Sequence, residues 1–530
     1  ALVGNVVRKA VHWASTTMTK PDWGAARAEA EAVATAWMEA DRPSPGGTIL
    51  LFDRDGIRDA VSAGLADLRH RIAFTPATPS RLASITKHVL CAFALRSGLD
   101  IEAPLGSVLP DVPAPFRDVP VFRALSMTSG LPDLLQSYTL CGVPMSAVVD
   151  AQALDAFTDA LPGLDFEPGS EMSYSNTGYR LVEQALARQG HAFGRWVEGP
   201  LNAALGTGFR FPAAWDGVLP SLADGHWREA PAEPWRVGFY GMALSASGAL
   251  AGSAEDLATW LRALLRGDGP AGDALQRLAT PVALDAGRRS HYGLGLHVAA
   301  IGGARLIGHG GHLPGFKNHF LLHVESGSGV VLLSNCEETE PYLPTLRIMA
   351  RLLGLPMPRV GAPLLPHGLF IEEDGPAWLE LQHGAATFMG SRDTLLPGEK
   401  AGEAVALSPY LPMRLVEDGA GIVGEIGHAT RRFHPIRQQV RLDAGMAGEW
   451  HATAQHARLG ISIAPDRTAT MAMGQGPLHR RVPLTPLAEN RALAPIGALP
   501  WPGRACLWLR RPGVLRIATN RSRVIDFTRV

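Results

Sequence analysis

Ser84-Ile85-Thr86-Lys87 sets a hydroxyl and an amine three residues apart. The stretch from Ile85 to Arg96 has a helical pattern and runs into Gly98, a residue suited to a left-handed C-terminal cap. Residues three apart share a helix face, so the Lys87 amine can meet the Ser84 hydroxyl within one turn. Chemically that is a nucleophile beside its base. An amine acts as a base near neutral pH only if burial lowers its pKa from about 10.4, an option closed to arginine. Lysine is scarce: Lys9, Lys20, Lys87, Lys317 and Lys400 are the whole set, which leaves 44 arginines among 49 basic residues. With so few lysines, an S-x-x-K at this spacing is expected by chance only about 0.25 times. The bland alternative is an exposed helix lysine.

Tyr174 and Asn176 stand one residue apart in Glu167-Pro168-Gly169-Ser170-Glu171-Met172-Ser173-Tyr174-Ser175-Asn176-Thr177-Gly178-Tyr179. An extended backbone aims both side chains to one side. A phenol can shuttle a proton and an amide can hold a carbonyl; taken alone, the pair also describes an ordinary loop before a helix. Gly308-His309-Gly310-Gly311-His312 is the third candidate. Its glycines allow a ligand to approach a strand closely, and His309 can hydrogen-bond without a fixed charge. His309 and His312 as a metal pair lack a third ligand or an H-E-x-x-H pattern. With no P-loop or dinucleotide fingerprint either, no cofactor is expected.

The elements that must carry these residues are legible in outline. An Ala-rich helix is expected over 24–40, a buried strand over 48–53, a hairpin turn at Asp55-Gly56, a return strand near 59–68, an amphipathic helix over 256–266 and a strand over 329–334. After Gly354-Leu355-Pro356-Met357-Pro358 helical periodicity fades. Short strand-like pieces such as 377–381, 437–442, 460–463 and 507–510 alternate with turn clusters, which reads as all-β material in one or two barrels or sandwiches.

Composition bounds the rest. The chain has 530 residues, 46% hydrophobic and 19% charged, enough for two to four domains and too apolar for a disordered chain. A net charge of −1 gives no reason to expect nucleic acid as a partner. No apolar run approaches the ~18 residues that span a bilayer, so no membrane partner is expected. The opening Ala1-Leu2-Val3-Gly4-Asn5-Val6-Val7-Arg8-Lys9 lacks a signal-peptide pattern. Four scattered cysteines suggest free thiols in a reducing compartment. The expected location is cytoplasmic, with the periplasm left open because an initiator Met is missing. No G-x-S-x-G occurs, which disfavours an α/β-hydrolase.

The order and spacing of the three motifs say more than any one of them. Together they resemble the serine β-lactamase and penicillin-binding-protein superfamily, in its class C-like branch: S-x-x-K, then Y-x-N, then a K-T-G or H-x-G strand. Leu125-Ser126-Met127-Thr128-Ser129-Gly130-Leu131-Pro132-Asp133, Ser247 to Leu257, and Tyr292-Gly293-Leu294-Gly295-Leu296 resemble further segments of that family. The resemblance covers about residues 45–350. It implies a multidomain α+β protein: a β-lactamase-like catalytic domain over 1–355, with an antiparallel sheet, flanking helices and an all-helical subdomain. Two antiparallel β-barrels would follow, over 356–440 and 441–530. Length, the all-β tail and the H-G-G motif look most like the bacterial D-aminopeptidases.

What the resemblance implies can be carried over residue by residue. Ser84 would be the acylated nucleophile, Lys87 its base and Tyr174 the proton relay. Asn176 would orient Lys87 and substrate, and His309 would replace the usual strand lysine. Gly310 and Gly311 would admit the substrate, and the N–H of His312 would join that of Ser84 in an oxyanion hole. The D-aminopeptidases also bring a loop of the last barrel into the site. The expected loop here is Leu487 to Pro500, with Glu489 its only acidic residue and an ammonium partner, or else the turn Gly474-Gln475-Gly476-Pro477. The expected function is release of N-terminal D-residues from amides, esters or short peptides, by a homodimer. The alternatives are a broad esterase or amidase of the same family, a D,D-carboxypeptidase or β-lactamase, and a non-catalytic binding module.

Overall fold

A computed structural model of the chain describes residues 20–530 apart from 40, 286, 358–364 and 438. The opening residues read above for a signal pattern lie outside the described set.

The first region is built on a six-stranded antiparallel sheet. Ile57–Ala63, Gly47–Asp53, Ser328–Ser334, Phe316–His323, Ala304–Leu313 and His297–Ile301 follow one another across it. Side chains alternate between its faces. Ile49, Leu51, Val330 and Leu332 pack beneath the helices Trp23–Thr35 and Tyr342–Leu353. Leu50, Phe52, Val331 and Leu333 face the helical region that includes Thr86–Arg96 and Ala254–Arg266. With both faces covered, the central strands read as unbroken apolar runs rather than alternating ones. The Ala254–Arg266 helix starts where the sequence permits: Ser253 Oγ accepts from Asp256 N at 3.0 Å, and Asp256 Oδ2 accepts from Ser253 N at 2.9 Å.

Two all-β regions follow. Eight strands from Gly368–Ile371 to Ala429–Pro435 form a closed antiparallel barrel around Trp378, Phe388, Leu415, Ile422 and Phe433. Nine strands from Gly448–Ala452 to Ser522–Arg529 form a second antiparallel sheet. This one curls until it is nearly closed, in keeping with the expected second barrel. Its two end strands, Arg480–Pro483 and Thr485–Ala488, are separated by Leu484 alone, so one bent ribbon pairs with Ala469–Met473 through its first half and with Arg491–Ala498 through its second and all but completes the ring. Among the described residues of the expected strand over 437–442, none lies in a strand: they belong to the crossing from barrel to sheet.

The regions are fastened together at Glu171. Its carboxylate accepts from Arg431 of the barrel at 3.0 Å and from Arg523 of the open sheet at 2.9 Å. Arg431 also reaches Glu372 at 3.1 Å. No helix among the described residues is long and apolar enough to cross a membrane.

Candidate active site

Ser84 lies in a single 3-10 turn, Ala83–Ile85, that opens the Thr86–Arg96 helix. Ala83 is held at φ 52°, in the left-handed region a non-glycine residue rarely adopts. The strand Ala304–Leu313 presses against this turn. A Cβ on Gly311 would stand 2.1 Å from the Leu82 carbonyl oxygen, so only glycine allows the approach.

Lys87 is fully buried. Its Nζ lies 2.9 Å from Ser84 Oγ, 2.8 Å from Asn176 Oδ1 and 2.6 Å from the Ser247 carbonyl oxygen. Burial lowers its pKa to about 7; the Asp133 carboxylate opposes this and the Arg521 guanidinium reinforces it. A neutral amine has two N–H groups and one lone pair. Two carbonyl oxygens take the N–H groups, which leaves the lone pair directed at the Ser84 hydroxyl. Asn176 is in turn fixed by Asp133, whose Oδ2 accepts from both the Asn176 backbone N and Nδ2 at 2.8 Å. That leaves Oδ1 for the lysine. Asp133 stands in the Leu125–Asp133 segment, but sequence reasoning gave it no role.

Tyr174 hydrogen-bonds Ser84 from the other side, and its buried hydroxyl has a pKa pushed well up by burial, so it stays a phenol. Tyr174 and Asn176 thus converge on one center as their spacing predicts.

His309 is buried and both ring nitrogens are engaged. Nδ1 lies 2.6 Å from the Gly310 carbonyl oxygen and Nε2 lies 2.8 Å from the Tyr292 hydroxyl. Nδ1 must therefore donate, and Nε2 accepts from Tyr292. Burial first, then the Lys87 charge, holds His309 far below its ordinary pKa, so it is neutral. His312 sits on the opposite face of the strand, with Nε2 2.6 Å from Glu337 Oε1, so the two histidines do not converge on a metal. The Gly310 N–H donates to the Tyr410 hydroxyl at the strand's open edge, beyond the end of the His297–Ile301 pairing. N–H groups two apart point the same way. The His312 N–H thus faces the cleft near Ser84.

A cavity of about 850 Å³ opens over these residues, and the β regions supply its far wall. Tyr410 comes from the barrel, its ring 6.0 Å from that of Tyr174 and 5.3 Å from that of His309. Trp501 comes from the open sheet and packs on His312 at 4.9 Å between rings. The hairpin turn Thr519-Asn520-Arg521-Ser522 comes from the same sheet, and Arg521 lies over the Tyr174 ring at 4.6 Å. The expected loops are thereby corrected. Ile496, Gly497 and Ala498 of the expected stretch do line the cavity, whereas Glu489 and residues 474–477 do not. Glu489 is exposed in the turn joining Thr485–Ala488 to Arg491–Ala498. The eight-residue strand after it separates it from the cleft-facing turn by roughly 27 Å.

The antiparallel sheet flanked by helices defines the class: a hydrolase of β-lactamase-like fold. Residues 25–354 match the family model described as Beta-lactamase, and the chain belongs to that family. It is 27% identical to a D-aminopeptidase of Cereibacter sphaeroides (strain KD131 / KCTC 12085) over 531 residues, 92% of this chain and 96% of that one. It is 26% identical to a D-aminopeptidase of Gluconobacter oxydans over 340 residues, and that match spans 62% of each protein. The octameric penicillin-binding protein homologue from Pyrococcus abyssi shares the fold over 91% of this chain and 96% of its own, with a TM-score of 0.51 at 17% identity.

Proposed function

We propose that this protein is a serine hydrolase that works through an acyl-enzyme and releases N-terminal D-amino acids from amides, esters or short peptides. The observation that carries the reading is the fully buried Lys87 amine, whose Nζ lies within hydrogen-bond distance of Ser84 Oγ, Asn176 Oδ1 and the Ser247 carbonyl oxygen. Similarity to D-aminopeptidases along nearly the whole chain supports the substrate class.

In this mechanism Ser84 Oγ attacks the acyl carbon while its proton passes to Lys87. The oxyanion is met by the N–H groups of Ser84 and His312. Removing one such donor typically costs about 2.7–4 kcal/mol in the transition state. Tyr174, a phenol at rest, passes its proton to the departing amine as it takes up the proton that Lys87 received from Ser84. Water then enters by the reverse route and releases the acid. His309 is neutral, so it offers no cation to a substrate carboxylate; its work is to hold the strand through Tyr292 and Gly310. That disfavours the D,D-carboxypeptidase reading in the form that relies on the third motif.

Initial rates on D-Ala and L-Ala p-nitroanilide, with Ser84→Ala as control, test the reading. A strong D preference that vanishes in the variant is expected. Hydrolysis of neither, beside Ser84-dependent cleavage of p-nitrophenyl acetate, would replace it with a broad esterase.

A further inference from the structure

The hairpin turn that reaches the site carries two arginines of opposite fate. Arg523 is committed to structure: its guanidinium donates to Glu171 at 2.9 Å and to the Asn520 carbonyl and side-chain oxygens at 3.1 Å. Arg521 points the other way. Among the described residues its guanidinium has no hydrogen bond and no ion pair, only the Tyr174 ring beneath it. The turn that presents it is held firmly. The Arg521 carbonyl oxygen accepts from Asp133 N at 2.6 Å, the Asn520 carbonyl oxygen from Ser173 Oγ at 3.2 Å, and Ser522 Oγ lies 2.8 Å from Ser137 Oγ. The guanidinium charge is felt at three places: it opposes the burial that raises Tyr174, and it acts on two further groups. It helps burial to lower Lys87, and it adds to burial and the Lys317 ammonium in lowering His312. Arg521 lines the same cavity as Ser84, Tyr174 and His312.

A half-buried guanidinium on a firmly held turn, with unused N–H groups, is a fork for a carboxylate. Its position tells which carboxylate. Tyr174 protonates the leaving amine, and Arg521 lies on the Tyr174 ring, so it borders the leaving group rather than the acyl half. In a dipeptide the leaving amine carries an α-carboxylate two bonds away. We infer that Arg521 is a specificity-determining residue that binds the free carboxylate of the leaving amino acid, so that substrates whose leaving group is a C-terminal residue are preferred over the matching amides. The acyl half of this inference rests on the D-aminopeptidase reading; the leaving half does not.

The test compares kcat/KM for D-Ala-Gly and D-Ala-glycinamide, and separately for 3-carboxyphenyl acetate and phenyl acetate. Each pair differs only in the leaving-group carboxylate. The wild-type protein should favour the carboxylate member by about tenfold or more in both pairs. Arg521→Gln should bring both ratios toward one, and Arg521→Lys, which keeps the charge but not the fork, should fall between. The ratio cancels any change in folding or in Lys87 basicity, since both members of a pair meet the same enzyme. A wild-type ratio near one, or a ratio unmoved in Arg521→Gln, overturns the inference. Turnover of the esters with the carboxylate preference, beside no turnover of either D-Ala compound, overturns the D-aminopeptidase reading and leaves Arg521 as a carboxylate reader. Turnover of none of the four overturns both.

Discussion

The two walls of the cleft differ in origin and in chemistry. One belongs to the β-lactamase-like region and holds Ser84, Lys87, Tyr174 and Asn176, buried or half-buried groups bonded to one another in an unbroken chain from Asp133 to Ser84. The other belongs to the β regions and offers Tyr410, Trp501 and Arg521, rings and a charge that touch the first wall from outside. Proton transfer demands a dry, tightly registered set on one scaffold, because a buried polar group left without its partner is costly. Selecting a substrate demands only shape and charge at the rim, and these can come from separate elements. Damage to the first wall should therefore act on kcat, and damage to the second on discrimination and KM.

The largest expected effect is on the first wall: Ser84→Ala or Lys87→Met should lower kcat by about 10⁴-fold or more, with the fold intact by circular dichroism. Tyr174→Phe should cost about 10²–10⁴-fold on amides but far less on p-nitrophenyl acetate, whose leaving group needs no proton. Equal losses on both would remove Tyr174 as the proton donor. The pH profile gives the next. Lys87 must be neutral to act, so kcat/KM should rise with pH through an inflection at about 7. Arg521→Gln should move that inflection upward, since removing a nearby cation favours protonated lysine. On the second wall, Trp501→Ala should raise KM by up to about tenfold and leave kcat within a factor of two or three, measured by steady-state kinetics. The smallest effect is expected from Tyr410→Phe. It deprives the Gly310 N–H of its acceptor, and thermal unfolding should show a loss of about 1–3 kcal/mol with little change in rate.

The same contrast explains what the sequence disclosed. Ser84 and Lys87 share one helical turn, and Tyr174 and Asn176 share one extended step, so local periodicity was enough to pair them. Asp133 was visible only as part of a matched segment, because its work is to aim Asn176 from 43 residues away. Tyr410 and Arg521 carry no local pattern at all; each stands in a turn whose direction is set by the packing of a whole β region. The expectation for Glu489 failed on geometry. It chose the right β ribbon by charge, but a strand has two ends, and the turn holding Glu489 is at the end away from the cleft.

Glu171 gives the molecule a mechanical consequence. One carboxylate is held at once by an arginine of the barrel and an arginine of the open sheet. Neither β region can swing away without abandoning a half-buried charge, and stranding one member of such a pair is expensive. The three regions should therefore melt as one body, in a single calorimetric transition, and Glu171→Gln should split that transition by loosening the joint that makes the site a closed cleft.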